Sequence, residues 1–297
     1  QLSFTDARGA CQQLLSLPSK PTRLLRLYSA VSRQKGDVEA MLGRIELARA
    51  LFKESFEIDL GLSQNDPENL DKFQQAMTAG LSLARFDATH GWIKEANQTH
   101  DAWNSVLAAN LAEYRKQPAS HQLHPWWMTA ANAYHAIGET ELRLLGSCAK
   151  AIAAFEEAVR IRREMVASGR TLPGLAASLC DSLSGLAMAL QENGDSEAAM
   201  RIVDEVVATA SEIVDNEENP KSRINWRIIH SDAIAVRGVL MMSLGDVASS
   251  TTNLNQAQTE RERLEAEGTP TALPMVLIRI AEGYLAKGST KKAATAI

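Results

Sequence analysis

Apolar residues recur along most of this chain at spacings of three and four. Leu179, Leu183, Leu186, Met188 and Leu190 lead up to Gly194, and Ala198, Ala199, Ile202, Val203, Val206 and Val207 follow it. Such spacing puts one buried stripe on each of two helices. Comparable stretches flank Gly36, Gly91, Gly138, Gly245 and Gly288, so six glycines, 43 to 56 residues apart, punctuate the chain. A glycine there suits the left-handed residue that stops a helix. The Asp or Ser that follows several of them (Asp37, Asp195, Asp246, Ser289) can cap the next helix. Each unit therefore reads as helix, tight turn, helix, an antiparallel hairpin. The gaps hold two helices of four to five turns each. Residues 61–70, 116–125, 168–173, 215–223 and 268–274, several of them carrying Pro, Asn, Asp or Gly, read as the loops between units.

The residues around these glycines resemble the tetratricopeptide repeat. That family sets a small residue seven before its turn glycine, a large or aromatic one four before and sometimes a Trp eleven before. An Ala follows five after, a bulky residue nine after and a small one twelve after. Gly194 has Leu183, Ala187, Leu190, Ala199, Val203 and Val206 in these places. Gly245 has Gly238, Met241, Ser250, Leu254 and Ala257, and Gly288 has Leu277, Ala281, Tyr284 and Ala293. Gly36 has Leu25, Ser29, Met41, Ile45 and Ala48. Gly91 has Ala84 and Ala96, but Trp103 stands where a small residue belongs. Gly138 has Trp127, Ala131 and Tyr134; its second helix matches only with eight residues inserted, when Ala151, Phe155 and Ala158 fall into place.

The similarity spans residues 22–297, with a longer and less even period than the family's 34; stretched repeats of this kind are similar to those of kinesin light chains and bacterial regulators. It implies an all-α fold, a right-handed α-solenoid of about six stacked antiparallel helix hairpins, whose first helices line a concave surface. One hairpin cannot bury its own stripe, so stacking completes the core. Residues 1–21, with a helix over 3–17, are expected to be a cap or the remnant of a preceding repeat. A start at Gln1 and an end inside a second helix suggest a piece of a longer chain.

Composition narrows the function. An apolar share of 45% excludes disorder, and a net charge of -5 argues against nucleic acid as a direct partner. No uninterrupted apolar run is long enough to insert in a membrane. Cys11, Cys148 and Cys180 are far apart and form no pair motif, so they read as small core residues. His121 and His124 lack a third ligand at metal-site spacing. Ser147 and Lys150 match Ser-x-x-Lys without the partner motifs of that chemistry. Asp215, Glu217 and Glu218 lack the glycine and spacing of a calcium loop. No phosphate-binding or zinc-protease motif occurs. These residues predict no enzyme, no metal and no cofactor.

The surface remains. By the repeat register, Arg23, Arg26 and Arg33 of the first unit face the concave groove, with Leu81 and Arg85 of the second and Met128, Asn132 and His135 of the third. The fourth unit adds Asp181, Ser184, Met188 and Gln191, and the fifth Ala235, Val239 and Met242. Residues 1–50 carry eight Lys and Arg against four acids, so the N-terminal end of the groove is basic and suited to an acidic peptide through bidentate arginine contacts. Of two adjacent tryptophans, Trp127 takes the core position and Trp126 is left more exposed. The expectation is a cytoplasmic protein-interaction scaffold that binds a peptide or partner domain within a larger signalling or assembly protein. The alternative is a ligand- or peptide-sensing regulatory domain controlling an attached effector such as a kinase or DNA-binding domain.

Overall fold

The computed structural model describes residue 9 and residues 22–66, 68–114, 124–168 and 174–269. The expected N-terminal helix, Cys11, His121 and the unit around Gly288 lie outside the described residues. Those described form ten helices and no strand: α1 (Thr22–Met41), α2 (Ile45–Gln64), α3 (Leu70–Thr89), α4 (Ile93–Tyr114), α5 (His124–Arg143), α6 (Cys148–Ala167), α7 (Leu175–Glu192), α8 (Ser196–Asn216), α9 (Pro220–Ser243) and α10 (Val247–Ala266). They divide into two units, Gln1–Gly146 with α1 to α5 and Ser147–Ile297 with α6 to α10. Within each, successive helices pack on one another, and helices two apart also touch: α3 with α5, and α7 with α9. This is the stacking of a helical-hairpin repeat.

The turns share one construction. Gly43, Gly91, Gly194 and Gly245 all have positive φ, from 74° to 89°. At Gly194 the glycine amide donates to the Gln191 carbonyl at 3.0 Å and the Asp195 amide to the Leu190 carbonyl at 2.9 Å. Gly43, Gly91 and Gly245 repeat this pair of bonds, which satisfies carbonyls left open at a helix end. The next helix is then capped from the side, Asp195 accepting from the Ala198 amide at 2.9 Å and Asp246 from the Ser249 amide at 3.0 Å.

Two expected turns are misplaced. Gly36 lies inside α1 and Gly138 inside α5; the glycines with positive φ after these helices are Gly43 and Gly146 instead. Gly36 is a packing glycine, seven before its turn. A Cβ there would lie 3.3 Å from the Phe52 ring and 3.4 Å from the Ala48 carbonyl oxygen. Helix α2 also continues through Gly61 to Gln64, shortening that loop.

Helix α5 keeps part of its expected core, since Ala131 and Tyr134 are buried. Trp126 is buried as well, on one stripe with Ala130, Ala133 and Ile137, while Trp127 is half-buried. This reverses the expected order of the two tryptophans.

Close approach depends on small residues elsewhere too. A Cβ on Gly238 would lie 2.9 Å from Leu254 Cγ, whose side chain is fully buried. Gly238→Leu is expected to overpack the α9–α10 hairpin and cost about 1–3 kcal/mol in urea unfolding; a neutral result would place the glycine away from that contact.

Candidate partner-binding surfaces

Among the described residues of the first unit, two concave surfaces lie on opposite kinds of helix. The smaller is a cavity of about 370 Å³ between the first helices α3 and α5. Leu81, Arg85 and Asn132 of the expected groove meet there, beside Thr78, Ser82 and Arg143. Arg85 and Asn132 are exposed. Arg143 is 3.6 Å from Glu139, an exposed pair that leaves it able to exchange partners.

The other expected residues sit around this cavity or apart from it. Arg23 is exposed on α1. Arg26 reaches across to Asp71 of α3 at 2.5 Å. Arg33 acts on the carboxyls of Asp37 and Asp59, which burial raises above their ordinary values; the guanidinium offsets part of that rise at Asp37, and at Asp59 the Ser29 hydroxyl offsets more of it than Arg33 does. Met128 and His135 are half-buried on α5, His135 4.0 Å from Glu139. Asp181 is exposed and Ser184, Met188 and Gln191 half-buried on α7, in the second unit. Of the fifth-unit residues, Ala235 is buried in a cluster with Ile234, Leu254 and Ala257, so it does not face a groove; Val239 and Met242 are half-buried. The basic end is partly neutralised: besides Arg26, Arg44 pairs with Glu39 at 3.0 Å and Arg49 with Asp87 at 2.7 Å.

The larger surface is a groove of about 860 Å³ walled by the second helices α2 and α4 and floored by α3. The repeat register did not predict it. Its floor is an aromatic cluster in which the Trp103 ring stands edge-on to Phe73 at 5.8 Å and to Phe56 at 6.5 Å between centroids. At one end Arg49 holds Asp87 with two bonds, Nε to Oδ1 at 2.7 Å and Nη2 to Oδ2 at 3.2 Å, and lies 4.2 Å over the Trp92 ring. Asp87 is almost wholly buried, and its bond raises the guanidinium above its ordinary value. The one sequence signal for this groove was Trp103 at a small-residue place.

In the second unit the polar groups serve packing. Arg162, almost wholly buried on α6, donates to the Ser178 carbonyl at 2.7 Å and to the Ser182 hydroxyl of α7. Burial brings its pKa down to about 10. Burial, with Asp181 and Glu205, pushes the Cys180 thiol up to about 12, which makes it inert as a nucleophile. Among the described residues no three His, Cys, Asp or Glu side chains are placed to hold a metal, and no helix is long and apolar enough to cross a membrane.

Most of the chain superposes on a solved structure, that of BtubC (BKLC) from P. vanneervenii, with a TM-score of 0.56 over 85% of this chain and 88% of that one at 20% identity. The fold is a tetratricopeptide-like helical repeat. A putative kinesin light chain from Podosopora anserina with nearly identical TPR-like repeats aligns over 74% of this chain and 90% of its own, at 20% identity and a TM-score of 0.44. No family model matches the sequence, and no curated protein does.

Proposed function

We propose that this chain is a non-catalytic scaffold that binds an acidic peptide, or an acidic segment of a partner domain, on the first-helix face of its N-terminal unit. The observation that supports this is the α3–α5 cavity, where exposed Arg85 and Asn132 stand beside Leu81 and Arg143. Two guanidinium groups beside an apolar contact and an amide suit a carboxylate-bearing chain, which Arg can hold with paired bonds. Arg23 and Arg26 extend positive charge along α1, and the Arg26–Asp71 pair is exposed enough to open for a competing carboxylate. Met128 and His135 of α5, and Arg33 of α1, complete the face in this reading.

The test is a fluorescein-labelled peptide selected for binding from a random library on the unmodified chain. Selected peptides are expected to be rich in Asp and Glu. A triple variant, Arg23→Glu, Arg26→Glu and Arg85→Glu, is expected to weaken them by at least about tenfold with unchanged helicity by circular dichroism. Retained affinity would remove the first-helix face from the binding site.

A further inference from the structure

A second surface, the groove between α2 and α4, has a different character, and we infer that it seats a cationic amphipathic helix from a partner protein. The groove has a small side chain on each of its two walls. Ala50 of α2 and Ala102 of α4 line it and are both exposed, so the two walls leave a gap above α3. That gap uncovers apolar surface: Phe56, Leu60 and Phe73 are half-buried, and Val106 is 41% exposed. Wall residues run from Glu46 to Gln64 on α2 and from Glu95 to Asn110 on α4. At about 1.5 Å per residue these walls extend roughly 22–27 Å, the length of a helix of four to five turns.

The chemistry selects the occupant. An extended chain laid on Phe56, Phe73 and Trp103 would press its backbone N–H and C=O groups against apolar rings. A helix satisfies its own backbone and offers an apolar stripe to such a floor. The charged lining comprises Glu46, Glu57, Asp87 and Glu95 against Arg49 and Lys53, a net of -2. Asp87 and Arg49 neutralise each other at one end, where Glu95 also lies 3.9 Å from Arg49, and Lys53 is 3.9 Å from Glu57, so two of the four carboxylates have no cation of the lining to balance them. The rim left to greet a ligand is therefore acidic. It complements Lys or Arg flanking the apolar stripe, while a large apolar side chain settles over the aromatic floor.

A fluorescein-labelled peptide of Leu and Lys, about 18 residues long with Leu at helical spacing, serves as the probe. It is compared with a peptide of the same composition in alternating order and with one carrying Glu for Lys. Fluorescence polarisation is expected to show binding of the first alone. Ala50→Arg with Ala102→Arg is expected to weaken it by about tenfold or more. The same two arginines placed on exposed positions of α10, Thr252→Arg and Asn255→Arg, keep the net charge of that variant and are expected to leave affinity within about twofold. The Arg23, Arg26 and Arg85 triple variant is expected to bind this probe undiminished, which separates this groove from the first-helix face. Equal binding of the alternating peptide, an equal loss in the α10 variant, or no binding to the unmodified chain would each overturn the inference.

Discussion

Replacing His100 by leucine is expected to destabilise the N-terminal unit by about 3–5 kcal/mol. His100 of α4 and Glu141 of α5 are both 0% exposed, with Nδ1 and Oε1 2.9 Å apart. The carboxylate's other oxygen and the imidazole's Nε2 are buried with no hydrogen-bond partner. The pair therefore satisfies one bond and forgoes two. Removing the imidazole leaves a buried carboxylate with nothing to balance it, the costly way to break such a pair. Glu141→Leu removes the charge and leaves a neutral ring lacking an acceptor, for which about 1–3 kcal/mol is the expected loss. The double variant, apolar at both positions, is expected to be more stable than His100→Leu alone. Urea unfolding followed by tryptophan fluorescence checks this directly, because Trp92, Trp103, Trp126 and Trp127 all belong to this unit. A loss below about 1 kcal/mol in His100→Leu would mean that water or another group already satisfies Glu141.

At Gly194 and Gly245 the turn glycine is followed by the aspartate that caps the next helix, as expected, but Gly36 carries the same Gly-Asp pair inside α1. The sequence misled where two glycines compete for one turn. Gly36 and Gly43, and Gly138 and Gly146, are each seven or eight residues apart, and a packing glycine carries the same letter as a turn glycine. The two errors differ in consequence. Seven residues make almost two full turns, so the face of α1 carrying Arg26 and Arg33 survives the shift; in α5 the expected core residues Ala131 and Tyr134 stay buried, while Trp126 takes the buried place expected of Trp127. Nothing in the sequence could have joined His100 to Glu141, which lie 41 positions apart on different helices. Neither residue fits a motif, and only the packing of α4 on α5 makes them partners. The groove between α2 and α4 was half visible. Trp103 stood out as an aromatic in a small-residue place, but that it floors a groove depends on Phe56 and Phe73, which no repeat position marks.

Trp103 supports the second large expected effect. It is 6% exposed and packs so closely on Gly80 that a Cβ there would meet its indole Nε1 and lie 3.0 Å from the Phe56 ring. Gly80 falls eleven before the turn at Gly91 and Trp103 twelve after it. Compared with the tetratricopeptide pattern, the large and small residues have changed places, so one volume is filled from the opposite helix. Trp103→Ala empties that volume and is expected to cost about 3–5 kcal/mol in urea unfolding. Gly80→Trp alone forces atoms into space that the indole already occupies, and a loss of at least about 1–3 kcal/mol is expected. If the two positions share one volume, their effects are not additive. Gly80→Trp combined with Trp103→Ala returns the bulk from α3 and is expected to regain part of the stability that Trp103→Ala loses. Simple addition of the two losses would show instead that the indole is held by Phe56 and Phe73 alone, with Gly80 a bystander to its packing.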